Sequence, residues 1–576
     1  TEITEIEIPK TLKDVGTNGL TTNGPFTGSN IQTAIIEEGT TTIPAHLFNN
    51  SNELKSIDIP ESVTVIGGCA FAGTKLKVLD LPDNITHLGE RMLDGNTEIT
   101  EIEIPKTLKD VGTNVLSTNG PFTGSNIQTA IIEEGMTTIP AHLFHSSHTL
   151  EKVDIPKSIT KIDAYVFSRC TNLSEIVIPE SVTEIGVRVF MESTKLKNVI
   201  LPETINDIGD AAFEGCTSLE EIILPESITI IRNSVFKNCT ELKNFKCSDK
   251  LVKIEQYAFE NCDSLLQINI PSTVSFIGNG VFYDCDGLTK IIVPQAINTI
   301  ESDTFNDCDL LSDIVLPEFV VTIKSSSFKN CGALKEISLP DSVEDIGNSA
   351  FYNCDSLAAI TIPDSVTSIG SSIFYDCDAL TDVTLGTGIT SIPSSAFEHC
   401  DVLQSIVLPY RTATVGANAF KNCVALTEIT IPRATTSIDA TAFSYPSKMT
   451  VYGVAGTYAE TFANEQGMKF VNKEIDAEEV TLSQSELKLN KGDKGKLVMT
   501  VTPADFTDEV MWKSSDSDVV TVDDSGQISA KSVGEVTVKV QVGSVSASCS
   551  VTVVQPVTSI SLDKKSLEMD ALDTYQ

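Results

Sequence analysis

The chain has 576 residues, 41% of them hydrophobic, and a formal net charge of −39. That length exceeds one ordinary domain, and the apolar content suffices for a large core, which excludes a disordered chain. The charge excludes nucleic acid as a natural partner, because phosphate binding needs clustered Lys and Arg; it also disfavours anionic membrane surfaces. No run of about 18 apolar residues occurs, so no segment is expected to insert into a membrane, and no signal peptide opens the chain. Thr1 falls inside a repeat and Gln576 just after an incipient strand. An export signal upstream, and more modules or an anchor downstream, are expected.

From residue 1 to about 447 the chain repeats itself. Phe recurs every 23 residues from Phe144 through Phe167 and Phe190 to Phe443, and a proline column keeps the same step from Pro156 to Pro432, with Ser248 and Gly386 in register where proline is missing. The unit from Cys216 to Phe236 shows the logic. Leu219, Ile222 and Leu224 form a strand-like run that Pro225 ends, since proline cannot donate to a central ladder. Ile228 and Ile231 form a second run, and Val235 and Phe236 close the coil. One such unit cannot bury its apolar side alone; stacked units can. Residues 1–48 recur at 97–144 with three changes, Gly19 to Val115, Thr21 to Ser117 and Thr40 to Met136, which reads as a duplication of four coils. The columns predict 19 coils. At about 4.8 Å per coil they make a rod or arc about 90 Å long.

The consensus Cys-x-x-Leu-x-x-Ile-x-Leu-Pro-x-x-Ile/Val-x-x-Ile-x-x-x-x-Phe resembles the BspA-like subclass of leucine-rich repeats. The resemblance covers three quarters of the chain. It implies a right-handed solenoid of mainly β structure, on a bacterial surface protein that adheres to host matrix proteins or to other cells.

After Phe443 the period fails. Residues 448–475 read as a C-terminal cap: a strand, a short helix over Tyr458–Gln466 stopped by Gly467, and a last strand with Phe470 and Val471. From 477 to 554 the period becomes 2, as in Val536–Val540, with turn signals at Gly492-Asp493 and Asp524-Ser525-Gly526. The run around the only tryptophan, Trp512, with Val519–Val522 and Gly526–Ala530, resembles a bacterial immunoglobulin-like domain of group 2. The resemblance implies a β-sandwich with Trp512 in its core, and a spacer role. Residues 556–576 repeat the opening of that domain at an offset of 80, so a second, truncated module is expected there.

Cys216 to Cys423 form a column of ten at 23-residue spacing, with Cys170 two steps earlier and Ser193 between. No Cys-x-x-Cys pair exists, so zinc-finger spacing is absent. Identical coils point their side chains in parallel, so free buried thiols acting as small hydrophobes are expected rather than disulfides. Asp263, Asp286, Asp309, Asp355, Asp378 and Asp401 follow this column, and Asp284, Asp307 and Asp376 precede it. Stacked carboxylates offer oxygens for calcium, but no complete calcium loop is present; the expectation is that each Asp closes its own turn. No other cofactor is indicated. His142, His145 and His148 form the only histidine cluster and read as a solvated turn rather than a zinc site. No nucleophile elbow, phosphate loop or metalloprotease helix occurs, so no catalytic residue is named.

The variable column is the outward residue just before the proline. Early coils carry an acidic stripe there: Glu7, Asp58, Asp80, Glu103 and Asp154. Middle coils carry Val177, Ile200 and Ile223, then Ile292 and Val315. The exposed apolar run is the candidate protein-binding stripe, although strand propensity alone also selects Val and Ile. The expected function is a non-catalytic, adhesin-like binding protein, extracellular or at the cell surface, that takes a host or microbial protein on its solenoid face. The alternative is a structural stalk without a specific ligand, and a hydrolase is a distant third.

Overall fold

A computed structural model describes residues 4–12, 24–112, 119–503 and 506–556. Residues 13–23 and 113–118 of the duplicated block and residues 557–576 of the expected second module lie outside them.

The repeats form a β-solenoid of about 19 turns. Most coils contribute a short strand before the proline position and a strand of two or three residues after it. The strands pair in parallel with their equivalents one coil on: Glu175–Val177 with Asn198–Ile200, and Glu184–Ile185 with Asp207–Ile208. In the first set the middle residue points inward and its neighbours outward, as in Glu221 and Ile223 around buried Ile222. This alternation comes from the two-residue period of a strand.

The interior is one continuous apolar cluster running from Ile8 to Met468. Its axis is the phenylalanine column. From Phe144 to Phe443 successive rings stack with centroids 5.3–5.7 Å apart and planes within 24° of parallel. Offset stacking of this kind adds to area burial.

The cysteine column does more than fill space. The thiols of Cys170 and of Cys216 through Cys423 each donate to the carbonyl of the phenylalanine 26 residues earlier, at 2.9–3.2 Å. Ser193 occupies the same register and its hydroxyl donates to the Phe167 carbonyl at 2.7 Å. At these coils the position supplies a small donor to a carbonyl of the preceding coil, and the purely hydrophobic reading of the column is corrected. All 14 cysteines are free. Burial pushes the thiol pKa values of the column far above the ordinary range, so these sulfurs stay protonated donors.

From Phe144 to Phe420 the residue two after each phenylalanine of the column adopts the left-handed backbone region. Examples are Asn261 (φ 58°), Asp284 (φ 57°), Asp307 (φ 60°) and Asp376 (φ 60°), with Gly215 (φ 73°) where glycine stands instead. Asn and Asp tolerate this region better than other side-chain-bearing residues. The aspartates that precede the cysteine column are thus placed by backbone conformation.

Thr450–Gly453 and Lys469–Asn472 extend the sheet past the last coil, and the helix Tyr458–Glu465 lies between them in sequence. Phe462 covers Phe443 at 6.0 Å and ends the ring stack. Beyond the cap, Glu486–Asn490, Val545–Val554, Gly534–Val542 and Val510–Ser514 form one four-stranded sheet, while Lys494–Lys496, Gln527–Ala530 and Val520–Val522 form another. Trp512 packs against both apolar clusters of this domain.

Two substitutions separate the roles of ring and donor. Phe305→Ala is expected to cost about 3–5 kcal/mol in chemical denaturation. Cys308→Ser keeps the donor and is expected to stay within about 1 kcal/mol of wild type, whereas Cys308→Ala leaves the Phe282 carbonyl unpaired and costs about 1–3 kcal/mol. Equal losses for the Ser and Ala variants would remove the donor role.

Candidate protein-binding face

The outward residues of the first strand set line up because the coils pair in register. Val177 lies opposite Ile200, and Ile292 opposite Val315. Val177 and Ile200 are each 73% exposed, Ile223 50%, Ile292 56% and Val315 44%. Between the two groups the column carries Lys246, paired to Ile223, and then Asn269. The stripe is therefore two apolar patches separated by two polar coils.

Ile200 and Ile223 of the first patch line a shallow trough of about 540 Å3, whose rim includes Glu175, Asn198, Glu203 and Glu221. Lys197 and Glu220 pair at its edge at 3.6 Å. An apolar floor with an acidic rim suits a partner that presents an apolar residue framed by basic ones.

Glu7, Asp58, Asp80, Glu103 and Asp154 are all exposed; Glu7 and Asp58 lie in one three-stranded sheet, Glu103 and Asp154 in the next, and Asp80 between them in a coil without a strand before its proline. The register interleaves them with apolar residues that the column reading passed over. Ile35 lies between Glu7 and Asp58, and Ile131 between Glu103 and Asp154. The signal was available, because both coils of the duplicated block carry Ile at that position where glutamate replaces the proline.

A second exposed apolar patch was missed. Ile230, Val252, Phe276, Phe319 and Val321 are 38–66% exposed along the second strand set and its turn. Ile230 and Phe276 flank Lys253 in one ladder, with the Lys253 ammonium 5.1 Å from the Phe276 ring. The sequence signal is an aromatic at a strand position that neighbouring coils fill with Thr or Lys.

The aspartates after the cysteine column do not behave as expected. Among the described residues none of Asp263, Asp286, Asp309, Asp355, Asp378 and Asp401 accepts a side-chain hydrogen bond that closes its own turn; the Asx contact appears instead at Asn96, which accepts from the Glu98 and Ile99 N–H groups at 3.1 and 2.9 Å. Partial burial, with Asp309 and Asp284 nearby, pushes the Asp286 pKa up to about 6. Among the described residues no group of three or more His, Cys, Asp or Glu is arranged to hold a metal ion.

The histidine reading is corrected in part. His148 is exposed, but His145 is 3% exposed and His142 is half-buried, stacked on Tyr165 at 4.7 Å. Both His145 ring nitrogens are buried without a hydrogen-bond partner. The turn is tucked against the next coil because Tyr165 supplies a ring for it to pack on.

Comparison with known proteins agrees with this architecture. The BspA type leucine rich repeat region matches residues 20–120, 118–243, 206–335 and 321–450, and the bacterial Ig-like domain (group 2) matches 476–553. A leucine-rich repeat protein of Bacteroides ovatus is 24% identical, over 76% of this chain and 88% of that one, with a TM-score of 0.41. A leucine rich repeat protein of T. pallidum is 30% identical, over 28% of this chain and 78% of that one, with a TM-score of 0.27. A protein of Clostridium acetobutylicum is 36% identical over 113 residues, 19% of this chain. The chain spans 11% and 13% of the length of the curated relatives it matches. Among the described residues no helix is long and apolar enough to cross a membrane.

Burial, with a smaller push from the neighbouring His142, lowers the His145 pKa from 6.5 to about 4. The folded state thus takes its proton later than the unfolded chain. The His145 contribution is complete above pH 6.5 and is lost as pH falls from 6.5 towards 4, by on the order of 3 kcal/mol. His145→Asn, the residue at Asn49 of the duplicate, is expected to flatten this part of the stability profile in denaturation from pH 7 to 4. An unchanged profile would show that His145 titrates normally.

Proposed function

The chain belongs to the BspA type leucine-rich-repeat family, and from that premise we propose that it is a non-catalytic, adhesin-like binding protein of a bacterial surface. Its sheet face takes a protein ligand, from host extracellular matrix or from another cell. The observation that carries this reading is the solvent-exposed patch of Val177, Ile200 and Ile223, of which Ile200 and Ile223 line an acidic-rimmed trough.

The chemistry of the face supports recognition. Solenoid surfaces are extended and suit large partners rather than small substrates. Aligned branched side chains are already fixed by the sheet, so little rotamer entropy remains to be lost on binding. The excess of 79 acidic over 40 basic residues steers basic partners towards the chain and repels other acidic surfaces. The paired Ig-like module and the acidic, helix-poor composition fit an extracellular or cell-surface setting.

Binding of the full chain to a panel of matrix proteins and glycans, with and without calcium, tests the reading. Saturable binding to a protein is expected, and Ile200→Lys with Ile223→Lys is expected to weaken it by roughly tenfold or more, since each buries a charge in an apolar contact. Saturable binding that survives both changes would move the site elsewhere. Absence of binding across the panel would favour the stalk.

A further inference from the structure

In the solenoid the residue after the proline position faces solvent, and it is polar in coil after coil: Glu203, Glu226, Glu318, Asp341, Asp364. Tyr410 breaks this rule. A phenol stands here at a register that the other coils named fill with charged residues, and that Ser272, Gln295 and Thr387 fill with neutral polar ones.

The structure supplies what covers it. Phe506 of the Ig-like domain lies against Tyr410 with ring centroids 5.2 Å apart, and Tyr410 joins the apolar cluster of that domain formed by Val480, Val501 and Val540. One coil on, the Arg433 guanidinium donates through Nε to the Thr507 carbonyl at 3.0 Å. Two coils back, the Lys496 ammonium donates to the Ser365 carbonyl at 3.2 Å. The contacts thus span successive coils at solvent-facing positions. Removal from water raises the Tyr410 phenol to about 12.

The tether ends at the same place. Between the cap strand ending at Asn472 and the first strand of the domain at Glu479 lie residues 473–478. Within them, the Ile475 N–H donates to Thr507 Oγ1 at 2.7 Å, the Thr507 N–H donates to the Ile475 carbonyl at 2.8 Å, and the Ala477 N–H donates to Asp508 Oδ2 at 2.7 Å. The loop that carries Phe506 therefore fixes the linker and the coil surface together.

We propose that the outer face of the solenoid between Asp341 and Arg433 is a docking surface for the Ig-like domain of the same chain. Tyr410 is its anchor, and the domain closes the C-terminal part of the sheet face. Thr361, Thr384 and Val407 continue the column that carries Val177 and Ile292, and they line a cleft of about 590 Å3 whose other wall includes Val501 and Phe506. A large partner running along the sheet therefore meets the Ig-like domain at this point. The module acts as a fixed stop that leaves the Val177–Val315 region as the open portion. The docking is independent of which partner that region takes, so failure of one proposal leaves the other standing.

The test uses the full chain. X-ray scattering of the wild type should fit the docked arrangement with a single maximum dimension. Tyr410→Asp installs the residue that Asp341 and Asp364 already place at this register, so the solenoid should keep its circular dichroism and unfolding midpoint. The docked-to-undocked ratio should fall by roughly thirtyfold, the loss typical of a buried aromatic anchor. The scattering profile should broaden, and Trp512, which lines a small gap against Asp364 and Tyr410, should become more accessible to acrylamide. Tyr410→Phe, which keeps the ring, should behave as wild type. Wild-type scattering that already requires many orientations of the domain would overturn the proposal without any variant. So would a folded Tyr410→Asp chain with unchanged scattering and quenching.

Discussion

The burial of each coil by the next is the constraint on which the molecule rests. A single turn has too little interior to be stable, and the parallel ring stack at 5.3–5.7 Å shows how the stack solves this: every phenylalanine is covered above and below by a copy of itself. The same geometry fixes the 23-residue step, because a side chain can meet its equivalent only if each coil has the same path length. In the duplicated block Phe122 and Phe144 still stack at 5.7 Å.

Satisfaction of buried backbone groups imposes the second layer. The strands leave the sheet at every coil, and the turn that follows the phenylalanine buries a carbonyl with no strand to pair it. A side chain one coil on donates to it, a thiol or a hydroxyl as at Cys216 and Ser193. Turning back also needs a left-handed residue per coil, which explains Asn and Asp at that position. The acidity just before the cysteine column is therefore in part a by-product of turning, and partial burial raises the pKa of Asp284 there.

With the inside and the turns committed, variation is left to the outward columns, and function has to be sought there. The solenoid face offers an acidic N-terminal stretch, two apolar patches and a covered C-terminal stretch along one column of outward positions. Rigid, ordered and aligned side chains suit recognition of a broad surface. The second patch around Phe276 lies on the other strand set, so the two surfaces look in different directions and do not compete for one flat partner.

The sequence by itself determined the period, the inward columns, the cap and the change to a two-residue alternation after it, because each is a local pattern repeated until chance is excluded. It also placed Val177, Ile200 and Ile223 on the outside. Tertiary structure decided what depends on neighbours 22 to 26 residues away or across domains. It made the cysteines donors, since the acceptor belongs to another coil. It buried His145, since Tyr165 packs over the turn from the next coil. It split the apolar stripe and interleaved the acidic one through strand register. It also gave Tyr410 a partner almost a hundred residues away, which no periodicity encodes.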